Sequence, residues 1–106
     1  MKQLDKFELH DALIHRTNID YPKKSVVVEL AFYPNPGASS RTNAEIHFSG
    51  VSSISHSGDF GHLADNASAG NVNYWAPAEK GGTTFIYLVN GVLSVTAKKV
   101  VFKVKR

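Results

Sequence analysis

The 106-residue chain contains no cysteine, so acid–base, nucleophilic or metal chemistry would fall mainly to its five histidines, its carboxylates and its serines. The tightest grouping is "FELHDALIHR", which holds His10, Asp11 and His15. A His–Asp pair can orient a general base, and two histidines with a carboxylate can hold zinc. The spacing argues against both. On an extended strand His10 and His15 differ by an odd number and take opposite faces, unless a bulge intervenes. On a helix they lie about 140° apart. Asp11 and His15, four residues apart on a strand, are separated by about 13 Å. The stretch therefore reads as structural. His15 shares a strand face with Leu13, Thr17 and Ile19 and is expected to be partly buried. Asp11 could cap or turn the chain where the Phe7/Leu9 alternation gives way to Leu13/Ile14.

The remaining histidines, His47, His56 and His62, follow H-x8-H-x5-H, which matches no zinc motif with a mechanical basis. His47 falls on the strand face that carries Glu45. Asp59 and His62 can share a face of a short helix. His56, Asp59 and His62, with Tyr74 on a later strand, read as candidates for contact with a partner. Polar residues in a Ser/Gly-rich stretch are commonly just solvated. "SGVSSISHSGD" holds five serines but no G-x-S-x-G turn. "EKGGTT" lacks the phosphate-loop spacing. No catalytic residue, metal ligand or cofactor is assigned.

The net charge is +3, and it is uneven. Thr42 to Glu79 contains no Lys or Arg, whereas the last nine residues, "KKVVFKVKR", hold five. Lys99, Lys103 and Lys105 fall on one face of a strand and could attract phosphates. No exposed aromatic residue is interleaved for stacking on bases. The plainer reading is an edge strand whose lysines discourage sheet-to-sheet pairing.

These residues must be carried mainly by strands. "SVVVELAFY" puts Val26, Val28, Leu30 and Phe32 on one face, and its β-branched run favours a strand. "ALIHRTNIDY" precedes it as a second strand, joined through "DYPKK". "PNPGASS" makes a loop. "TNAEIHFSGV" alternates Ala44, Ile46 and Phe48 against Glu45 and His47. "SSISHSG" reads as irregular or as one short strand. "SGDFGHLADNASAG" is the only helical candidate, with Ser57 or Asp59 as cap and Phe60, Leu63, Ala64 and Ala67 on one face. "GNVNYWAP" is a strand ended by Pro77, with Trp75 inward and Tyr74 outward. Asn90-Gly91 predicts a type I′ hairpin. The last strand is expected to run on through "VVFKVKR".

The expected fold is one domain, 1–106, of α+β class but mainly β. It is an antiparallel sheet, or a small sandwich or barrel, of about six strands with one short helix. The core is expected to include Phe7, Leu13 or Ile14, Val26, Val28, Leu30, Phe32, Ile46, Phe48, Trp75, Phe85 or Ile86, and Phe102. No apolar run reaches the length of a membrane span. The start of the chain lacks the apolar core of a signal peptide, so a cytoplasmic location is expected.

Phe7, His10, Asp11 and Ile14, followed by the strand at Val26 to Leu30, carry a resemblance over about a quarter of the chain. In this segment the chain is similar to the start of several groups of small bacterial β-rich proteins, including immunity proteins of polymorphic toxin systems. The resemblance implies a small intracellular protein that acts by binding another protein, without catalysis. It assigns no functional residue. Nucleic-acid binding through the basic last strand is the alternative. Among the loops, Asn35–Arg41 and Ser52–His62 are the expected recognition elements.

Overall fold

A computed structural model describes residues 4–65 and 70–105, with the side chains of all but Asp5, His62 and Asp65. It contains strands β1 (Leu13–Asp20), β2 (Ser25–Phe32), β3 (Thr42–Ser49), β4 (Ser53–Ser57), β5 (Val72–Ala76), β6 (Gly82–Leu88), β7 (Gly91–Ala97) and β8 (Lys99–Val104). A short helix, α1 (Phe60–Asp65), lies between β4 and β5, and Leu4–Lys6 form a 3-10 turn. The strands make two antiparallel four-stranded sheets, β1-β2-β3-β8 and β4-β7-β6-β5.

Among the described residues eight strands stand where about six were expected, and the difference arises at two corners. β3 and β4 follow one another around Gly50, and β7 and β8 around Lys98. β3 pairs with β8 in one sheet and β4 with β7 in the other, so one antiparallel ribbon bends between the sheets. Lys98 N–H donates to the carbonyls of Ser49 (3.1 Å) and Gly50 (3.2 Å) and fixes the bend. Gly50 has φ +62, and a Cβ there would sit 2.9 Å from the Lys98 Cβ, so glycine suits the corner on both counts.

Alternation fills the space between the sheets. Val26, Val28 and Leu30 from β2, Ile46 and Phe48 from β3, Ile86 from β6, and Leu93 and Val95 from β7 are all buried. Trp75 is buried and donates its indole N–H to the Phe7 carbonyl at 2.8 Å. Phe7, Phe32 and Phe102 make mutual ring contacts at 4.0–6.1 Å, with Trp75 beside Phe102 at 5.9 Å. Of the expected core, Ile86 is buried while Phe85 is exposed, and Phe7, Ile14 and Phe102 are partly buried against the core.

Asn71 joins the two ends of the strand series. It is fully buried; its amide oxygen accepts from Ile14 N–H at 2.8 Å. Its amide nitrogen donates to the carbonyls of Ile14 and Leu63, each at 3.2 Å. Asn71 N–H and Val72 N–H both donate to the Ala12 carbonyl, and Asp11 N–H donates to the Val72 carbonyl. The start of β1 is thereby tied to the start of β5. Gly70 lies against this junction, where a Cβ would come within 2.3 Å of the Asp11 carbonyl oxygen.

Two local expectations are corrected. The Asn90-Gly91 turn is not type I′, because only Asn90 (φ 63) has positive φ; Val89 and Asn90 form the turn and Gly91 pairs with Leu88. Gly91 is needed for proximity instead, since a Cβ there would lie 2.2 Å from the Ser57 carbonyl oxygen of β4. β1 also does not keep one parity. A bulge falls between Ile14 and Arg16, leaving His15 without a register partner. Ile14, Thr17 and Ile19 therefore oppose the inward Leu30, Val28 and Val26, and the Leu13–His15–Thr17–Ile19 face is split.

Candidate functional site

The bulge and two of the sheet edges shape a concavity among the described residues. β1 ends one sheet and β4 ends the other. Between them opens a mouth of about 540 Å³, within the range of ligand pockets. Its apolar lining includes Ile14 and Ile19 of β1, Ile54 of β4, Leu63 of α1, and Leu88 and Leu93 beneath. His15, Arg16 and His56 supply the basic and titratable part of the wall.

Burial along the two edges shows where the core lies open. Ile19 opposes the buried Val26, yet 42% of it is exposed. His56 opposes the buried Leu93, yet it too is exposed. Inward positions on both edge strands thus face solvent across the mouth. Phe60, the first residue of α1, stands at the rim and is 83% exposed. Asp59 precedes it, and its carbonyl accepts from Leu63 N–H at 2.9 Å, which begins the helix.

The sequence candidates are divided among different places. His56 lines the mouth, Asp59 does not line it and only precedes Phe60, and the His62 side chain lies outside the described residues. Tyr74 is on the outer face of β5, 53% exposed, and stacks on Tyr87 at 4.5 Å. It does not line the mouth. His15 is exposed, contrary to the expectation of partial burial, because the bulge removes it from the inward row. His10 is not on a strand at all. It lies in the turn before β1, where Asp11 has φ 65, so strand parity does not govern the pair. The His10 ring contacts the Asn73 carbonyl at 2.9 Å and the Asp11 carboxylate at 3.5 Å. Among the described residues no three His, Asp or Glu side chains are grouped to hold a metal.

Lys99 and Lys103 lie on β8, which is an edge strand, and Lys105 follows it. Lys103 opposes Glu45 in register, and Lys105 Nζ lies 3.2 Å from the Glu45 carboxylate. His47 Nε2 is 2.7 Å from the other oxygen of that carboxylate. The hydrogen bond from His47, followed by that from Lys105, holds the Glu45 carboxyl below its ordinary value. Part of the basic stripe is therefore already engaged by an acid on the same sheet face.

No family model and no curated protein matches the sequence. No helix among the described residues is long and apolar enough to cross a membrane.

Sequence reasoning missed the joining of His15 and His56 in one mouth, and it missed Ile19 and Phe60 as its exposed apolar residues. The first depends on which strands end the sheets, a long-range property without a local signature. Phe60 left a usable signal. A large apolar residue at the first position of a helix of six residues has little core to reach.

Proposed function

We propose that the chain is a non-enzymatic protein-binding module, immunity-like in acting by occupation of a partner, and that it receives an extended segment of that partner in the mouth between β1 and β4. The observation that carries this reading is the exposure of inward positions on the two edge strands that flank the mouth, Ile19 on β1 and His56 on β4. A free strand edge offers unpaired backbone groups, and an added strand alternates its side chains into adjoining pockets. The lining here is mainly apolar, and its polar wall is His15, Arg16, Thr17 and His56, without a carboxylate. The segment that suits it alternates apolar residues with acidic or neutral ones. A cytoplasmic setting belongs to the same proposal. The test is co-purification with the product of the adjacent gene, comparing the parent with Ile19→Glu and Phe60→Asp. Binding lost in both variants while the fold persists supports the reading. Turnover of a substrate by the purified protein, abolished by a single His or Asp change, overturns it.

The nucleic-acid alternative has one observation in its favour, the common outward side of Lys99, Lys103 and Lys105 at a sheet edge. The ion pair of Lys105 with Glu45 weighs against it. If the alternative holds, affinity for DNA or RNA falls with salt at a log–log slope of roughly −0.7 to −0.9 per phosphate neutralised, and changing the three lysines to Gln flattens it. Negligible binding before and after the change leaves these lysines as edge protection.

A further inference from the structure

The two outer sheet faces differ in chemistry. The outward positions of β1, β2, β3 and β8 include Arg16, Glu29, Glu45, His47, Lys99 and Lys103. The outward positions of β4, β5, β6 and β7 carry no charged residue. Their register sets serines of β4 beside Ser94 and Thr96 of β7, then Thr83, Phe85 and Tyr87 of β6, then Tyr74 and Ala76 of β5. Three aromatic rings gather there. Tyr87 lies 4.5 Å from Tyr74 and 5.9 Å from Phe85, with the ring planes within 24° of parallel. Tyr74 is 53% exposed and Phe85 38%. Phe85 stands between Ala76 on one side and Ser94 on the other, both small.

We infer that this face is a binding site for a neutral oligosaccharide. A pyranose ring offers a row of C–H groups that pack on the electron-rich face of an aromatic ring, and a rim of hydroxyls that both donate and accept. The exposed rings of Tyr74 and Phe85, at the two ends of the stack on Tyr87, supply the first partner, and Ser94 with the β4 serines supplies the second. Thr83 and Thr96 already bond each other at 2.7 Å and form one edge of the platform. A nucleic acid is a poorer match, because no cation on this face meets a phosphate. A second copy of the chain is a poorer match as well. Two such faces would bury a field of hydroxyls among carbons, and each unsatisfied one is costly. A sugar brings partners for them. The site is separate from the mouth between β1 and β4 and does not depend on the reading given to it.

The experiment is native gel electrophoresis of the full chain in gels containing hydroxyethylcellulose, amylose or galactomannan, followed by NMR titration with cellohexaose, maltohexaose and chitohexaose. The expected result is retardation by at least one polysaccharide and shifts at Tyr74, Phe85 and Ser94. The affinity should be unchanged between about 0.05 M and about 0.5 M salt, since no ion pair is involved. Tyr74→Ala and Phe85→Ala should each weaken binding at least about tenfold, a loss of ~1.4 kcal/mol. Phe85→Tyr should retain it. Trp75 is buried in the core, so its fluorescence reports whether each variant is folded. Absence of retardation by all three polysaccharides overturns the inference. Binding that survives Tyr74→Ala and Phe85→Ala overturns it equally. So does concentration-dependent dimerisation abolished by Tyr74→Ala, which would assign the face to a second copy.

Discussion

Asn71 and Glu45 are the polar side chains whose surroundings make the strongest demands. Asn71 answers three backbone groups from a fully buried position, and it does so where β1 and β5 lack a continuous ladder. Asn71→Ala leaves Ile14 N–H and two carbonyls without this partner. The expected loss is about 2–4 kcal/mol in urea unfolding, since each stranded buried group costs about 1–3 kcal/mol. An unchanged midpoint would mean that water replaces the amide. Glu45 gives a pH dependence of known sign. Its carboxyl is held below the ordinary value of 4.5 by His47 and Lys105, so the folded state favours its charged form. That stabilisation is present above the unfolded value and is lost as pH falls through the lower folded value. Stability measured from neutral pH down to the acid range should therefore fall less in Glu45→Gln than in the parent. Equal acid sensitivity of the two proteins would remove Glu45 from the account.

Elements were legible in the sequence wherever one face is buried and the other is wet. β3 follows its period-two pattern from end to end and β2 does so as far as Leu30, and Val100, Phe102 and Val104 alternate with Lys99, Val101 and Lys103 as expected. The breaks were not legible. His15 bulges because β1 must pair with β2 and also meet Asn71, and neither partner is encoded near residue 15. The bend at Lys98 is hidden because β7 and β8 are both β-rich, and the cause of the corner sits across the ribbon at Gly50. Gly91 was noticed for the wrong physical reason. Its requirement is the approach of β4, so Gly91→Ala should detach β4 from β7 and destabilise the fold by about 1–3 kcal/mol, as overpacking does. Amide exchange that stays slow over Ser53–Ser57 in that variant would contradict the close approach. Phe60 at the start of α1 is the opposite case. Phe60→Asp removes no core contact of weight, so stability should change by less than about 0.5 kcal/mol. A loss beyond that would show the ring packed in the mouth rather than offered at its rim.

At the scale of the molecule, a ribbon bent at two corners joins the sheets, Asn71 ties the first strand to the fifth, and the side between β1 and β4 is left open. One sheet turns a charged face outward and the other an uncharged, aromatic one. The candidate residues from the sequence divide accordingly: His56 at the mouth, Tyr74 on the uncharged face, and the lysines on the charged one. The central claim is that a partner's extended segment fills the mouth. Hydrogen exchange of the chain, free and in complex with the product of the adjacent gene, tests it most directly. The account predicts new protection at the amides of Thr17–Ile19 on β1 or of Ser53–Ser57 on β4, together with lost binding in Ile19→Glu. Protection confined to β8 or to the outer face of β5 and β6, with both free edges exchanging as before, would contradict it.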